Sequence, residues 1–213
     1  MVVSKRIALY AAVLVFIVGC SYQIPIRMVA PGLPERVYVT SGDSEYRKST
    51  VAVFRFKEPP FAPGIGSKAA EAVYNELLKR DVFSDVVSEL DLVNSSPEQM
   101  IDLARAKEYD LIIMGEVLYY FEGSDFAPSR VDERIRVVHL PTQETLWYAE
   151  ASDVAAPILP NDYILLINRG TPAPPASLLL QRNAEKFCRL FWTSFASRQD
   201  TAAGNQVIDW QER

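Results

Sequence analysis

The chain has 213 residues, with 22 basic and 27 acidic side chains, a formal charge of −5, 49% hydrophobic and 23% charged residues. This is globular composition, which excludes a disordered or low-complexity chain, and the acidic balance argues against a nucleic acid partner. One His and two Cys exclude most protein-only zinc sites and any dense disulfide scaffold.

In chain order, Lys5 and Arg6 precede twelve uncharged, apolar residues, 7–18. As a helix this run spans about 18 Å, short of a bilayer core of about 30 Å, so it reads as a secretory apolar segment rather than a membrane span. It ends in Ile17, Val18, Gly19 and Cys20. That order resembles the bacterial lipobox, in which a small residue precedes an obligatory Cys whose thiol receives the lipid. The resemblance implies cleavage between Gly19 and Cys20, with a diacylglycerol and an acyl chain on Cys20. Two or more chains give a stable anchor where one does not. No other cofactor is expected.

Removal of residues 1–19 takes Lys5 and Arg6 and no acid, leaving 20 basic and 27 acidic residues, net −7. Ser21, rather than Asp, follows the Cys, which resembles outer-membrane sorting with the domain facing the periplasm. Residues 20–35 carry Pro25, Pro31 and Pro34 without periodicity and read as a tether reaching up to about 50 Å.

A single α/β domain is expected over 36–198, with a loose tail over 199–213. Residues 51–56 (VAVFRF) predict a strand. A Pro- and Gly-rich loop leads to a helix that Ser67 is placed to cap, with Ala69, Ala70, Val73, Leu77 and Leu78 at helical spacing. A short strand follows over 83–88. Ser96, Pro97 and Gln99 mark a capped helix start, with Met100, Leu103 and Ala104 as its apolar stripe. Residues 109–121 begin apolar on both faces and predict a central strand. In 131–140, Val131, Ile135, Val137 and His139 alternate with Asp132, Arg134, Arg136 and Val138, so one face is wet. Residues 145–151 return from a turn at 141–144 to complete a hairpin.

Residues 154–176 hold five prolines around the apolar island YILLI at 163–167, read as a covering edge strand, a docking segment or a contact with the bilayer surface. A last helix over 177–197 buries Leu180, Ala184, Phe187, Cys188, Phe191 and Phe195. Cys188 lacks a partner for an intrachain disulfide once Cys20 is acylated, and reads as a small buried hydrophobe. The expected architecture is an α/β sandwich of two or three layers, with a mixed sheet and helices mainly on one face.

Catalytic patterns are sparse. His139 reads as a hydrogen-bonded, half-buried side chain. No G-x-S-x-G elbow is present. Residues 63–68 (PGIGSK) join a strand to a helix but lack phosphate-loop spacing. Asp132 and Glu133 are adjacent, so they point to opposite faces and read as solvated charges. Arg130, Arg134 and Arg136 form a small basic stripe. No catalytic, metal-binding or cofactor-binding residue is assigned. Tyr119, Tyr120 and Phe121, at the end of the central strand, are candidate partner contacts.

Residues 51–56 (VAVFRF), 109–115 (YDLIIMG) and 142–147 (TQETLW) resemble, in that order, the motifs of the group containing the curli-secretion lipoprotein CsgG, the peptidoglycan-synthase activator LpoB and the amino-terminal domain of TolB. Gln143 stands where that group has Gly, and no long alternating segments are available for a transmembrane barrel. The resemblance, which covers about residues 50–152, implies a TolB-like α/β fold, and the anchor together with the sparse catalytic patterns leads to the expectation of a non-enzymatic, lipid-anchored accessory protein. Such a protein acts through contacts with an envelope partner in a transport, secretion or cell-wall machine, or with copies of itself. Alternatives are a curli-type secretion subunit, an auxiliary lipoprotein of an ABC-type lipid transporter, or a small hydrolase using His139.

Overall fold

The crossover rule for parallel strands accounts for most of the layering. A computed structural model describes residues 36–39, 44–92, 96–163 and 166–196. Its strands are β1 (Arg36–Val39), β2 (Thr50–Phe54), β3 (Asp85–Glu89), β4 (Leu111–Phe121), β5 (Ser129–His139), β6 (Thr145–Ala155), β7 (Asn161–Tyr163) and β8 (Leu166–Asn168). Its helices are α1 (Ile65–Arg80), α2 (Pro97–Ala106) and α3 (Ala176–Ala196), with a 3-10 turn at Ser44–Lys48. The main sheet runs β1-β6-β5-β4-β2-β3. β2 is parallel to both β3 and β4, and the remaining pairs are antiparallel.

From β2 the chain crosses to β3 through α1, then back past β2 to β4 through α2. Right-handed crossovers travelling in opposite directions lie on opposite faces. Accordingly, Ala69, Ala70, Val73 and Leu77 of α1 pack with Val51, Val53, Leu111 and Ile113. Ala104, Met100 and Leu103 of α2 pack on Ala52, Phe54 and Ile112. The long α3 lies beside α1 and buries Leu180, Ala184, Phe187, Cys188 and Phe191 against β5 and β6. The result is an α/β sandwich with a mixed sheet and two of its three helices on one face.

Local chemistry sets the helix starts. Ser96 Oγ accepts from Gln99 N–H at 3.3 Å while the Gln99 side chain accepts from Ser96 N–H at 2.9 Å, a complete capping box with Pro97 in the first turn. At α1 the expectation fails: Ser67 lies inside the helix, and the cap is Gly64 at φ +82°, which makes no side-chain cap. The donors there go to Glu58, whose Oε2 accepts from Gly66 N–H at 2.8 Å. Burial pushes the Glu58 carboxyl up, but the backbone amides of Gly64 and Gly66 and the Arg55 guanidinium outweigh it and hold its pKa below the usual range. The helix end that follows the PGIGSK segment is thus occupied by a carboxylate of the same chain.

Gly66 also lets α1 approach the backbone closely. A Cβ there would stand 2.0 Å from the Phe56 carbonyl oxygen. Gly66→Ala is therefore expected to cost about 2–3 kcal/mol, read as a lowered urea midpoint. Gln143, in the β5–β6 turn, has φ +60°, the left-handed region that glycine enters most readily.

Further differences from expectation concern non-local pairing. β1 joins the sheet beside β6. The YILLI island does not provide an edge strand of the main sheet: β7 and β8 pair with each other as a separate two-stranded sheet. Gly19, Cys20, the tether and the tail lie outside the described residues. Among the described residues, no helix is long and apolar enough to cross a membrane.

Candidate interaction surface

Helix α2 covers only part of its face of the sheet, leaving the side chains over β4, β5 and β6 open. Cross-strand register brings Met114, Arg136 and Tyr148 into one row and Glu116, Arg134 and Glu150 into the next. Glu116 is bonded by Arg134 and lies 3.1 Å from Lys57 Nζ. Partial burial raises the Glu116 pKa, but hydrogen bonds from Arg134 and Lys57 win and hold it below the usual range. Tyr148 donates its hydroxyl to Glu150 at 2.6 Å. Further along the face, Arg130 pairs with Asp132 at 2.7 Å, and Ser152 donates to the same carboxylate.

Arg136 is different. It is exposed and has no ion-pair partner among the described residues. It borders a groove of about 550 Å³ between α2 and the sheet. Leu92, Met100 and Met114 are among its apolar lining residues. Four cations (Arg55, Lys57, Arg134 and Arg136) meet two carboxylates (Glu58 and Glu116), so the groove is locally positive in an acidic chain.

The aromatic triplet divides between faces. A bulge between Val117 and Tyr119 shifts the register and leaves Leu118 exposed. Tyr119 and Phe121 then stand on the open face, 40% and 43% exposed, with the Arg130 guanidinium 5.3 Å from the Tyr119 ring. Tyr120 packs on the core, so only two of the three predicted contacts face outward. Its hydroxyl donates to Glu122 at 2.9 Å; burial first, and then that carboxylate, push its pKa up to about 12.

Beyond Phe121 the hairpin turn is organised by Ser124, whose Oγ accepts from Phe126 and Ala127 N–H at 3.3 and 3.1 Å. This holds Asp125 and Phe126 at the apex, Phe126 being 76% exposed. Neither residue stood out in the sequence, because one Phe among turn formers carries no period.

His139 Nδ1 is 3.0 Å from Thr142 Oγ1, and its ring meets Tyr46 edge-on at 5.5 Å. Half-buried and so engaged, it sits in the environment the strand pattern predicts. Among the described residues, no group of His, Cys, Asp and Glu is arranged to hold a metal. Cys188 is buried, and that burial pushes its thiol pKa far up, as an inert packing residue requires.

The reading of Glu133 as a solvated charge is overturned. Its neighbour Asp132 is on the open face, but Glu133 is 1% exposed beneath α3. Asn183 Nδ2, also fully buried, donates to Glu133 Oε2 at 2.9 Å. Burial pushes the Glu133 pKa up to about 8, against the smaller opposing effects of Asn183 and Lys186.

No protein-family model matches the sequence, and no curated protein matches it. Among solved structures, PelC from Paraburkholderia phytofirmans, a dodecamer, gives a TM-score of 0.52 at 18% identity over 76% of this chain and 96% of that one. The chain is similar to PelC in fold. A PelC variant dodecamer in a second crystal form gives 0.54 at 18% identity, over 76% and 97%. The LpoB carboxy-terminal domain of Salmonella enterica is a weaker likeness, at 0.36 and 14% identity over 54% of this chain and 84% of that one.

Proposed function

We propose that the chain is a lipid-anchored protein of a bacterial envelope that acts without catalysis, by assembling with copies of itself and with a protein partner of a transport, secretion or cell-wall machine. The observation that carries this reading is the sequence Ile17, Val18, Gly19, Cys20 directly after a basic pair and a twelve-residue apolar run. Lipid on Cys20 holds the domain at the outer membrane, facing the periplasm. The tether ends where β1 begins, and β1 runs from Arg36 beside Glu150 to Val39 beside Trp147. Self-assembly draws support from the shared fold with PelC, which was solved as a dodecamer, and from the outward apolar side chains Leu118, Tyr119, Phe121 and Phe126.

The test is Cys20→Ala in the native host. The expected product is an unacylated, unprocessed chain whose mass retains residues 1–19. Acylated material from this variant would overturn the assignment of the anchor.

A further inference from the structure

The open-face groove and the β4–β5 hairpin apex are complementary, and they lie on different parts of the molecule. The groove has a surplus of two positive charges over an apolar lining that includes Met100 and Met114, with Arg136 unpaired among the described residues. The apex presents an exposed carboxylate, Asp125, without an ion-pair partner among the described residues, next to Phe126. From these features we propose that the apex of one copy seats in the groove of a second copy, with the Asp125 carboxylate on the Arg136 guanidinium and the Phe126 ring against Met100 and Met114.

The same copy cannot supply the apex. Arg136 lies six positions along β5 from Arg130, about 20 Å at 3.3 Å per residue and on the side of Arg130 away from the hairpin. The contact is therefore head-to-tail. Each copy offers one groove and one apex, so the pairing repeats and either closes into a ring or extends as a filament. The Ser124 turn fixes the apex before binding. Ala173 N–H donating to the Ser124 carbonyl at 3.0 Å ties it to the segment before α3, so little ordering is left to oppose association. Methionines suit the floor, because their unbranched thioethers adapt to an aromatic ring.

This inference rests on the self-assembly reading, and the experiment separates the two. Full-length, lipidated protein in detergent is sized by native mass spectrometry across a concentration series. The wild-type chain is expected to form multimers. Arg136→Glu and Asp125→Arg should each raise the concentration for half-assembly at least tenfold, because each sets like charges against one another. The double variant, R136E with D125R, should restore assembly, which a merely misfolded surface would not do. Wild-type multimers insensitive to either single change would overturn this contact while leaving self-assembly standing. Two disruptive single variants without rescue in the double would overturn the charge pairing. A monomeric wild type would overturn the self-assembly reading itself.

Discussion

Trp147→Ala is expected to lower stability by about 3–5 kcal/mol, the range for removing a fully buried large aromatic side chain. Trp147 on β6 is completely buried and is the largest such side chain among the described residues. Its ring centroid lies 4.0 Å from that of Phe191, tilted by 42°, and 6.4 Å from that of Phe187, nearly perpendicular at 82°. Both partners belong to α3, so truncation removes transfer free energy, leaves a cavity and loses ring–ring contacts at the seam between sheet and helix. Urea unfolding measures the loss, and hydrogen exchange should show α3 opening well before β4. A loss under about 1 kcal/mol would mean that α3 does not depend on this seam.

The second large effect concerns pH. Glu133→Gln is expected to stabilise the protein at pH 8 by on the order of a few kcal/mol, with little effect at pH 4.5. Burial raises the folded-state pKa of Glu133 from the ordinary 4.5 to about 8. Between those values the folded chain holds a proton that the unfolded chain has released. Unfolding therefore releases a proton in this window, and the stability contributed by the neutral carboxyl falls as pH rises from about 4.5 through about 8. Glutamine is neutral throughout and still offers an oxygen to the Asn183 amide, so its stability curve should lack this slope. The nearby charges do not supply a private counter-ion: Lys186 Nζ donates to the Ser152 carbonyl at 2.8 Å and lies 3.7 Å from Asp153, which Arg182 also approaches at 3.6 Å. Denaturant titrations of both proteins from pH 4.5 to 9 measure the difference. Parallel curves would show that Glu133 does not titrate as a buried acid.

The sequence was most legible where signals are local. The Ser96 capping box is written in four adjacent residues, and both of its hydrogen bonds form. The alternation along β5 places Arg130, Asp132, Arg134 and Arg136 on one face because a strand has a period of two. The stripe on α3 is equally direct, with Leu180, Ala184, Phe187, Cys188 and Phe191 all buried, while the burial of Phe195 lies outside what the structure describes.

What was not legible depends on partners distant in sequence. β1 is four residues long and pairs with β6 more than a hundred positions later, so nothing nearby announces it. At α1, Ser67 carried the familiar capping chemistry, but Glu58 satisfies the helix start from outside. Glu133 is instructive because its signal was present. Strict alternation puts it with Val131 and Ile135, and Asn183 interrupts the stripe of α3. Two polar residues on facing apolar surfaces match each other, but only knowledge that α3 crosses β5 brings them together.

The groove was illegible for the same reason. Its lining draws on the segment after β2 and on α2, β4, β5 and β6, and the stripes recognised on α2 and β5, which hold Met100 and Arg136, carry no sign that they face each other. Likewise, Asp125 and Phe126 acquire meaning only once the β4–β5 hairpin is seen to project them.

The most direct measurement is native mass spectrometry of the protein extracted from the membranes of its own host. The predicted result is a multimer whose released subunit begins at Cys20 and is heavier than residues 20–213 by a diacylglyceryl group and an acyl chain. A subunit with a bare Cys20 thiol, or one still carrying residues 1–19, would contradict the account.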